Sequence, residues 1–220
     1  MNLNCVRFIM TSLKSEEVHG KRVLEVGSLD VNGSVRPFVE LLNPAEYLGA
    51  DIIPGPGVDI VCDVKDIVKR FGPDSFDVVL STEMLEHVRD WRWAIHAIKA
   101  VCKPGGAIVI TTRSPGFPYH GHPFDFWRYE IEDLKYIFKD CNIEKIEKDP
   151  DKGVFIKVRK PEQFTEADLT GYELYSIVHN KRVVEVNEDD TKTLYFKWVM
   201  LSPKVRNVLW GIRDILFFKI

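Results

Sequence analysis

The sequence has no run approaching the ~20 consecutive apolar residues that a membrane-spanning helix needs. Cysteine is scarce: Cys5, Cys62, Cys102 and Cys141 lie far apart, and no Cys-x-x-Cys pair occurs. That spacing excludes a disulfide framework and the common zinc-binding patterns, and it fits a reduced, cytoplasmic interior. No charge sign dominates. Lys and Arg number 30 against 33 Asp and Glu, a net charge of -3. Without a global basic field, nucleic acid is not an expected partner. No internal repeat or low-complexity tract is present. Two phosphate-binding signatures are also missing. No Gly-Lys-Ser/Thr occurs, and Gly27-Ser-Leu-Asp-Val-Asn-Gly33 does not match the Gly-x-Gly-x-x-Gly of dinucleotide folds. Asp30 sits where a phosphate would rest, which disfavours a nicotinamide oxidoreductase. Residues 1–13 are partly apolar but are broken by Asn2, Asn4, Arg7 and Thr11. They read as a first helix, not a signal peptide.

What is present is a full complement of apolar residues, 45% of 220, enough for one α/β domain and a modest appendage. The organising stretch is Arg22 to Ser34. A short β-branched run, Val23, Leu24 and Val26, ends at Gly27, and a helix can start at Val35. This is the pattern of a buried parallel strand, a tight turn and a helix N-terminus, where backbone N–H groups can face a ligand. Further strands are expected at 47–52, 58–62, 76–81 and 107–112, with a closing antiparallel pair at 143–147 and 154–158. Helices are expected at 3–18, 35–42, 64–71, 83–101 and 130–138, the fourth from an apolar stripe of Leu85, Val88, Ala94, Ile95 and Ile98. Strands alternating with helices imply a doubly wound sheet covered on both faces, with ligands at the carboxyl ends of the strands.

Those ends collect a particular chemistry. Strand one brings Glu25, Gly27 and Ser28, strand two Asp51 and Ile52, and strand three Asp63 and Val64. Strand four brings Ser81, Thr82 and Glu83, and strand five Thr111, Thr112 and Arg113. Four carboxylates around one crevice repel a phosphate-rich ligand and suit a cationic or hydroxyl-rich one. An acid after strand two matches a ribose diol. Asp63 has a second reading, as the cap of the helix that follows it.

Taken in order, Val23-Leu-Glu-Val-Gly27, Tyr47-Leu-Gly-Ala-Asp51, Val61-Cys-Asp63, Phe76-Asp-Val-Val-Leu-Ser81 with Leu85-Glu-His-Val88, and Lys103-Pro-Gly-Gly106 resemble a class I S-adenosylmethionine-dependent methyltransferase. The resemblance covers roughly residues 20–160. It implies a Rossmann-like seven-stranded sheet of order 3-2-1-4-5-7-6, the last strand antiparallel, with S-adenosylmethionine as cofactor and S-adenosylhomocysteine as product. It also implies that Glu25, Gly27 and Ser28 face the methionine end, with Ser81 and Thr82 beside it. Asp51 would hold the ribose hydroxyls, Ile52 and Val64 would flank the adenine, and Asp63 would take its amine. The sequence departs from the common Gly-x-Gly-x-Gly turn, since its second glycine is delayed to Gly33. A domain over 1–160 and an extension over 161–220 are expected.

No Asn-Pro-Pro-Tyr-like tetrapeptide follows strand four, so the expected acceptor is a hydroxyl or carboxyl of a small molecule, sugar or lipid-linked compound. His120 and His87 are the candidate bases, with packing as the alternative for His87. His120 belongs to a loop, 114–129, dense in Pro, Gly, His and aromatics. His120, His122 and Asp125 have a metal-binding reading, but no metal is expected; Asp125 with Arg128 also reads as an ion pair closing the loop. In the extension, 174–178 and 182–186 read as a hairpin. From Val205, the residues Val208, Leu209, Ile212, Leu216 and Ile220 share one helical face. Residues 194–220 have three readings: docking on the domain itself, a homodimer contact, or peripheral contact with an anionic membrane. A non-catalytic binding module acting through this tail is the alternative to an enzyme.

Overall fold

The computed structural model describes residues 3–121 and 124–201. The helix expected from Val205 lies outside the described residues, as does His122.

Two short helices, α1 (Leu3–Ser12) and α2 (Ser15–Val18), precede the first strand, β1 (Arg22–Val26). Then come α3 (Arg36–Glu40), β2 (Glu46–Asp51), β3 (Ile60–Val61), α4 (Ile67–Phe71) and β4 (Phe76–Thr82). The chain continues through α5 (Trp91–Val101), β5 (Cys102–Arg113), β6 (Trp127–Arg128), α6 (Ile131–Ile137), β7 (Asn142–Asp149) and β8 (Gly153–Arg159). It ends in β9 (Leu174–Ser176), β10 (Lys181–Val183) and α7 (Leu194–Met200).

Seven strands form one sheet in the order β3-β2-β1-β4-β5-β8-β7. The pairs from β3 to β5 are parallel, and β8 runs antiparallel to both its neighbours. This is the expected order with its antiparallel last strand. Side chains alternate faces along a strand, and the core divides accordingly. Val23, Val78, Leu80, Ala107 and Val109 point to the face covered by α1 and α2, where Phe8, Ile9 and Val18 are buried. Leu24, Val79, Ile108 and Ile110 point to the other face, against Ala94, Ile95 and Ile98 of α5 and Leu134 of α6.

Two expected helices are shorter than the apolar periodicity suggests. The first breaks after Ser12, because Glu17 turns inward. It accepts the Lys14 N–H at 2.8 Å and pairs at 2.7 Å with the buried Lys157 ammonium. The expected helix over 83–101 begins only at Trp91. Glu83 has φ 54°, outside the helical region, and a 3-10 turn over Leu85–His87 buries Glu86 completely. Asp90 then caps α5, accepting the Trp93 N–H at 3.3 Å. Both corrections have one cause: a buried acidic side chain with a distant partner overrides local helix preference.

A second, three-stranded sheet has the order β10-β9-β6. Trp127 pairs with Ser176 and Arg128 with Tyr175, so the extension is laced to the loop after β5. Leu169, Leu174, Val178 and Phe196 join the same buried cluster as α5. Among the described residues, no helix is long and apolar enough to cross a membrane.

Candidate active site

A cleft of about 690 Å³ opens along the carboxyl ends of β1, β2, β3 and β4. Gly27 stands at its floor with φ 81°, and its N–H donates to the Ala50 carbonyl at 2.8 Å. A Cβ there would lie 2.5 Å from the Met84 side chain. Glycine is therefore required twice over, by the positive φ and by the close approach of Met84. The delayed Gly33 closes a separate turn, donating its N–H to Asp30 at 2.7 Å.

The β1–β3 end of the cleft is acidic. Glu25 is buried and accepts hydrogen bonds from Tyr47 at 2.7 Å and Thr82 at 3.2 Å. Burial is the stronger influence and lifts its carboxyl to about 7, although both hydroxyls lower it. Asp51 accepts the N–H of Leu29 at 3.1 Å and of Ile53 at 3.2 Å. These two bonds fix its carboxylate at the rim between β2 and the glycine turn. Asp63 lines the cleft and also caps the 3-10 turn over Val64–Asp66, accepting the Lys65 N–H at 2.9 Å. The capping reading is thus realised at a residue that still faces the cleft. Ile52, Val64 and Thr82 line the same space, as does Ser28, whose buried hydroxyl has no hydrogen-bond partner. Ser81 is one expected residue that the structure does not bring there, as are Thr111, Thr112 and Arg113 at the end of β5. Ser81 lies fully buried, away from the lining.

The other end is made by the 83–90 segment and the loop after β5. His87 and His120 both line it, with Phe124 and Phe126. The two imidazoles meet edge to face with centroids 4.8 Å apart. His87 sits on the 3-10 turn rather than on a helix, and its Nδ1 lies 2.7 Å from the Phe124 carbonyl. A carbonyl can only accept, so Nδ1 carries the hydrogen and the Nε2 of neutral His87 is left with its lone pair.

His120 is surrounded differently. Its Nδ1 lies 2.9 Å from Asp125 Oδ2, and its Nε2 lies 3.5 Å from Glu86 Oε1. Burial alone would lower this imidazole, but the adjoining Asp125 and Glu86 carboxylates outweigh burial and lift it to about 9. Asp125 is itself fully buried and gripped by Arg128, at 2.5 Å and 2.7 Å to its two oxygens. Burial works to raise the Asp125 carboxyl, and Arg128 with His120 holds it well below the usual carboxylate range. The ion pair expected to close the loop is therefore present, and it also supports His120. Trp127 ties the loop down further, donating its ring N–H to the carbonyls of Val88 at 3.1 Å and Arg89 at 3.0 Å.

Glu86 was not among the expected site residues. It is fully buried, accepts from the Thr112 hydroxyl at 2.8 Å, and approaches His120 from below. The adjacency Leu85-Glu-His87 marked the place, but a link across 34 positions to His120 leaves no local trace. Glu86, His87 and His120 bring one donor atom each within 4.8 Å of one another. Of these three, Glu86 also accepts from Thr112 and His87 Nδ1 faces the Phe124 carbonyl.

Residues 6–141 match the family model described as a methyltransferase domain. This chain belongs to that family. The methyltransferase domain is of the Rossmann-like, S-adenosylmethionine-dependent kind, with the family's sheet. Among curated relatives, the ubiquinone biosynthesis O-methyltransferase of Vibrio atlanticus is 30% identical over 125 residues, covering 52% of this chain and 53% of the relative. The chain thus spans about half the length of the curated relatives it matches. Among solved structures, the Burkholderia thailandensis 1,6-didemethyltoxoflavin-N1-methyltransferase, bound to its acceptor and S-adenosylhomocysteine, aligns with a TM-score of 0.59 at 15% identity. That alignment covers 71% of this chain and 78% of the other. The Haemonchus contortus phosphoethanolamine N-methyltransferase 2, in complex with S-adenosyl-L-methionine, aligns with a TM-score of 0.53 at 15% identity over 72% and 52% of the two chains. At such identities these likenesses concern the fold alone.

Proposed function

We propose that this methyltransferase domain binds S-adenosylmethionine at the acidic end of the cleft and transfers its methyl group to an oxygen of a small organic acceptor. The observation that carries this reading is the division of one cleft into two chemistries. Glu25, Asp51 and Asp63 line one end, and two imidazoles with aromatic neighbours line the other.

The residues present fit the cofactor. Gly27 lines the cleft, and its missing side chain lets the β1 turn pack closely on Met84, which lines the cleft as well. Asp51 would hold the ribose diol, Ile52 and Val64 would flank the adenine, and Asp63 would accept from its amine with the oxygen not used in capping. Glu25, with Gly27 and Thr82, would face the methionine end. The bound cofactor supplies a methyl carbon already made electrophilic by a sulfonium, whose leaving electron pair stays on sulfur. The chain's task is to align the acceptor and exclude water.

An acceptor amine can attack as its free base, whereas a hydroxyl must lose a proton. The Nε2 lone pair of His87, a residue lining the cleft, would take that proton from an acceptor hydroxyl. This supports oxygen over nitrogen, in line with the named activity of the O-methyltransferase relatives. Phe124 and Phe126 offer apolar walls to a ring or chain. A phenol, a sugar hydroxyl or a lipid-linked hydroxyl are the acceptors to try first.

Calorimetric titration with S-adenosylhomocysteine, followed by methyl transfer from radiolabelled cofactor to a panel of these acceptors, tests the reading. Binding that Asp51→Ala weakens while the fold stays intact supports the cofactor end. Absence of any S-adenosylhomocysteine binding by the wild-type chain would reject it.

A further inference from the structure

The two imidazoles at the acceptor end are set in unlike surroundings, and unlike surroundings assign unlike roles to paired titratable groups. We propose that Asp125, locked by Arg128, is a positioning residue that fixes His120 as a hydrogen-bond donor to the acceptor oxygen and leaves His87 as the base of the two. This rests on the reading of the cleft as a methyl-transfer site.

Every group facing His120 bears on the proposal. From the loop, one Asp125 oxygen accepts the His120 backbone N–H at 3.1 Å and lies 2.9 Å from Nδ1, an ion pair that does not reach hydrogen-bond geometry. The Arg128 guanidinium grips the same carboxylate and also donates to the Pro118 carbonyl at 3.1 Å, so Asp125 cannot swing away. From the 85–87 turn, Glu86 presents its carboxylate to Nε2, while His87 packs edge to face. On the remaining side the Phe117 ring lies 4.9 Å away, itself stacked under the buried Arg113 guanidinium at 4.1 Å. Arg113 is committed to Glu83 and Asp149. Two carboxylates and two rings therefore enclose one imidazole, which keeps about a third of its surface for the cleft.

The Nε2–Glu86 separation of 3.5 Å is longer than a good hydrogen bond, and that Glu86 oxygen has no hydrogen-bond partner. The Nε2–H is thus held near a carboxylate without being consumed by it, and remains available to an oxygen in the cleft. A hydrogen bond donated to the acceptor oxygen makes its hydroxyl more acidic. The neighbouring His87 Nε2 then removes that proton. Glu86 and Asp125 keep His120 charged, so it cannot compete for it. The device suits a hydroxyl acceptor, whereas an acceptor amine already present as its free base makes no use of it.

The experiment is a pH titration by nuclear magnetic resonance of the full chain, labelled at histidine with nitrogen-15 and carbon-13. It is done with S-adenosylhomocysteine present and in a chelator, so that no stray cation contributes. The His120 signal is identified by its loss in His120→Gln. We expect it to titrate near pH 9 in the wild type. Above that pH the nitrogen shifts should show the tautomer with hydrogen on Nδ1, facing Asp125. Asp125→Asn should weaken proton binding at His120 at least about tenfold, one pH unit, without moving S-adenosylhomocysteine affinity. A titration near the ordinary histidine value, a hydrogen on Nε2 at high pH, or an unmoved His120 in folded Asp125→Asn would overturn the proposal. If Asp125→Asn does not fold, the wild-type tautomer and titration decide the matter by themselves. Failure of S-adenosylhomocysteine to bind strikes the cofactor reading instead, so the two failures are distinguishable.

Discussion

The two ends of the cleft are built in contrasting ways. At the acidic end, each side chain is delivered by the end of a strand, and its hydrogen bonds run to adjoining strands and turns: Asp51 to Leu29 and Ile53, Asp63 to Lys65, Glu25 to Tyr47 and Thr82. At the imidazole end, side chains are delivered by a 3-10 turn and a loop, and buried ion pairs hold them in place: Asp125 to Arg128, Glu86 to His120, Arg113 to Glu83. A sheet positions ligands by backbone geometry alone and can leave its carboxylates partly wet. A loop has no such frame, and here burying charge supplies one. A buried pair is costly to break on one side, because the remaining charge is left without a partner. The described loop residues His120 and Asp125 to Arg128 are thus held by charge that a merely polar loop would lack.

The comparison implies that each end can be broken without the other. The largest effect is expected from His87→Ala, which should lower turnover about 10²–10⁴-fold, the usual worth of a general base. S-adenosylhomocysteine affinity should not change. Steady-state kinetics with an active acceptor, set beside calorimetry, would show this; a parallel loss of cofactor affinity would mean that the two ends are one structural unit. Next comes Arg128→Met, which leaves Asp125 buried without its fork and should cost about 3–5 kcal/mol of stability. By contrast Arg22 and Glu46 form a 2.6 Å pair at about 40% exposure, and breaking it should cost no more than about 1 kcal/mol. Urea unfolding of the two variants side by side measures the difference. Equal losses would contradict the view that buried charge holds the loop.

The same contrast explains what could be read from the residues alone. Alternating apolar runs located the sheet strands, and with them Glu25, Asp51 and Asp63, because a residue at a strand's carboxyl end has its place set by the sheet. The Asp125–Arg128 pair, three positions apart, was also legible as a loop closure. The long-range partners were not. Nothing near His120 indicates that Glu86 lies beneath it, since that contact depends on β4 and β5 lying side by side. The helix expected from Glu83 failed for a related reason. Leu85 and Val88 do face the core, but they sit on a turn and an extended residue, and the period alone cannot separate the two cases. Ser81 shows the limit at the sheet itself. Being in a strand-end stretch did not decide which face its side chain takes.

A smaller effect is expected at Asp51. Its carboxylate is proposed to hold two hydroxyls, and hydrogen bonds to a charged group are worth roughly 1.5–3 kcal/mol in total when one partner is lost. Asp51→Ala should therefore weaken S-adenosylhomocysteine about ten- to a hundredfold in calorimetry. Turnover at saturating cofactor should change much less, which is the reverse of His87→Ala. A variant that lost turnover and kept affinity would place Asp51 outside the cofactor site.

The most specific effect concerns Glu25 and pH. Its carboxyl stands near 7 because burial disfavours the charged form and two hydroxyl donors only partly offset this. If Glu25 faces the ammonium of the methionine end, the ionised form is the one that binds. Above pH 7 that form already prevails and affinity should be flat. Below pH 7 a proton must leave before the ammonium can be held, so affinity should fall by up to about tenfold per pH unit, the slope of one linked proton. Glu25→Gln should flatten the curve at the weaker level, because an amide neither titrates nor carries charge. Calorimetry at several pH values in two buffers of different ionisation heat would count the proton directly. A flat wild-type curve from pH 8 to pH 5 would mean that Glu25 serves Tyr47 and Thr82 as a structural acceptor, and that the cofactor's cationic end is held elsewhere in the cleft.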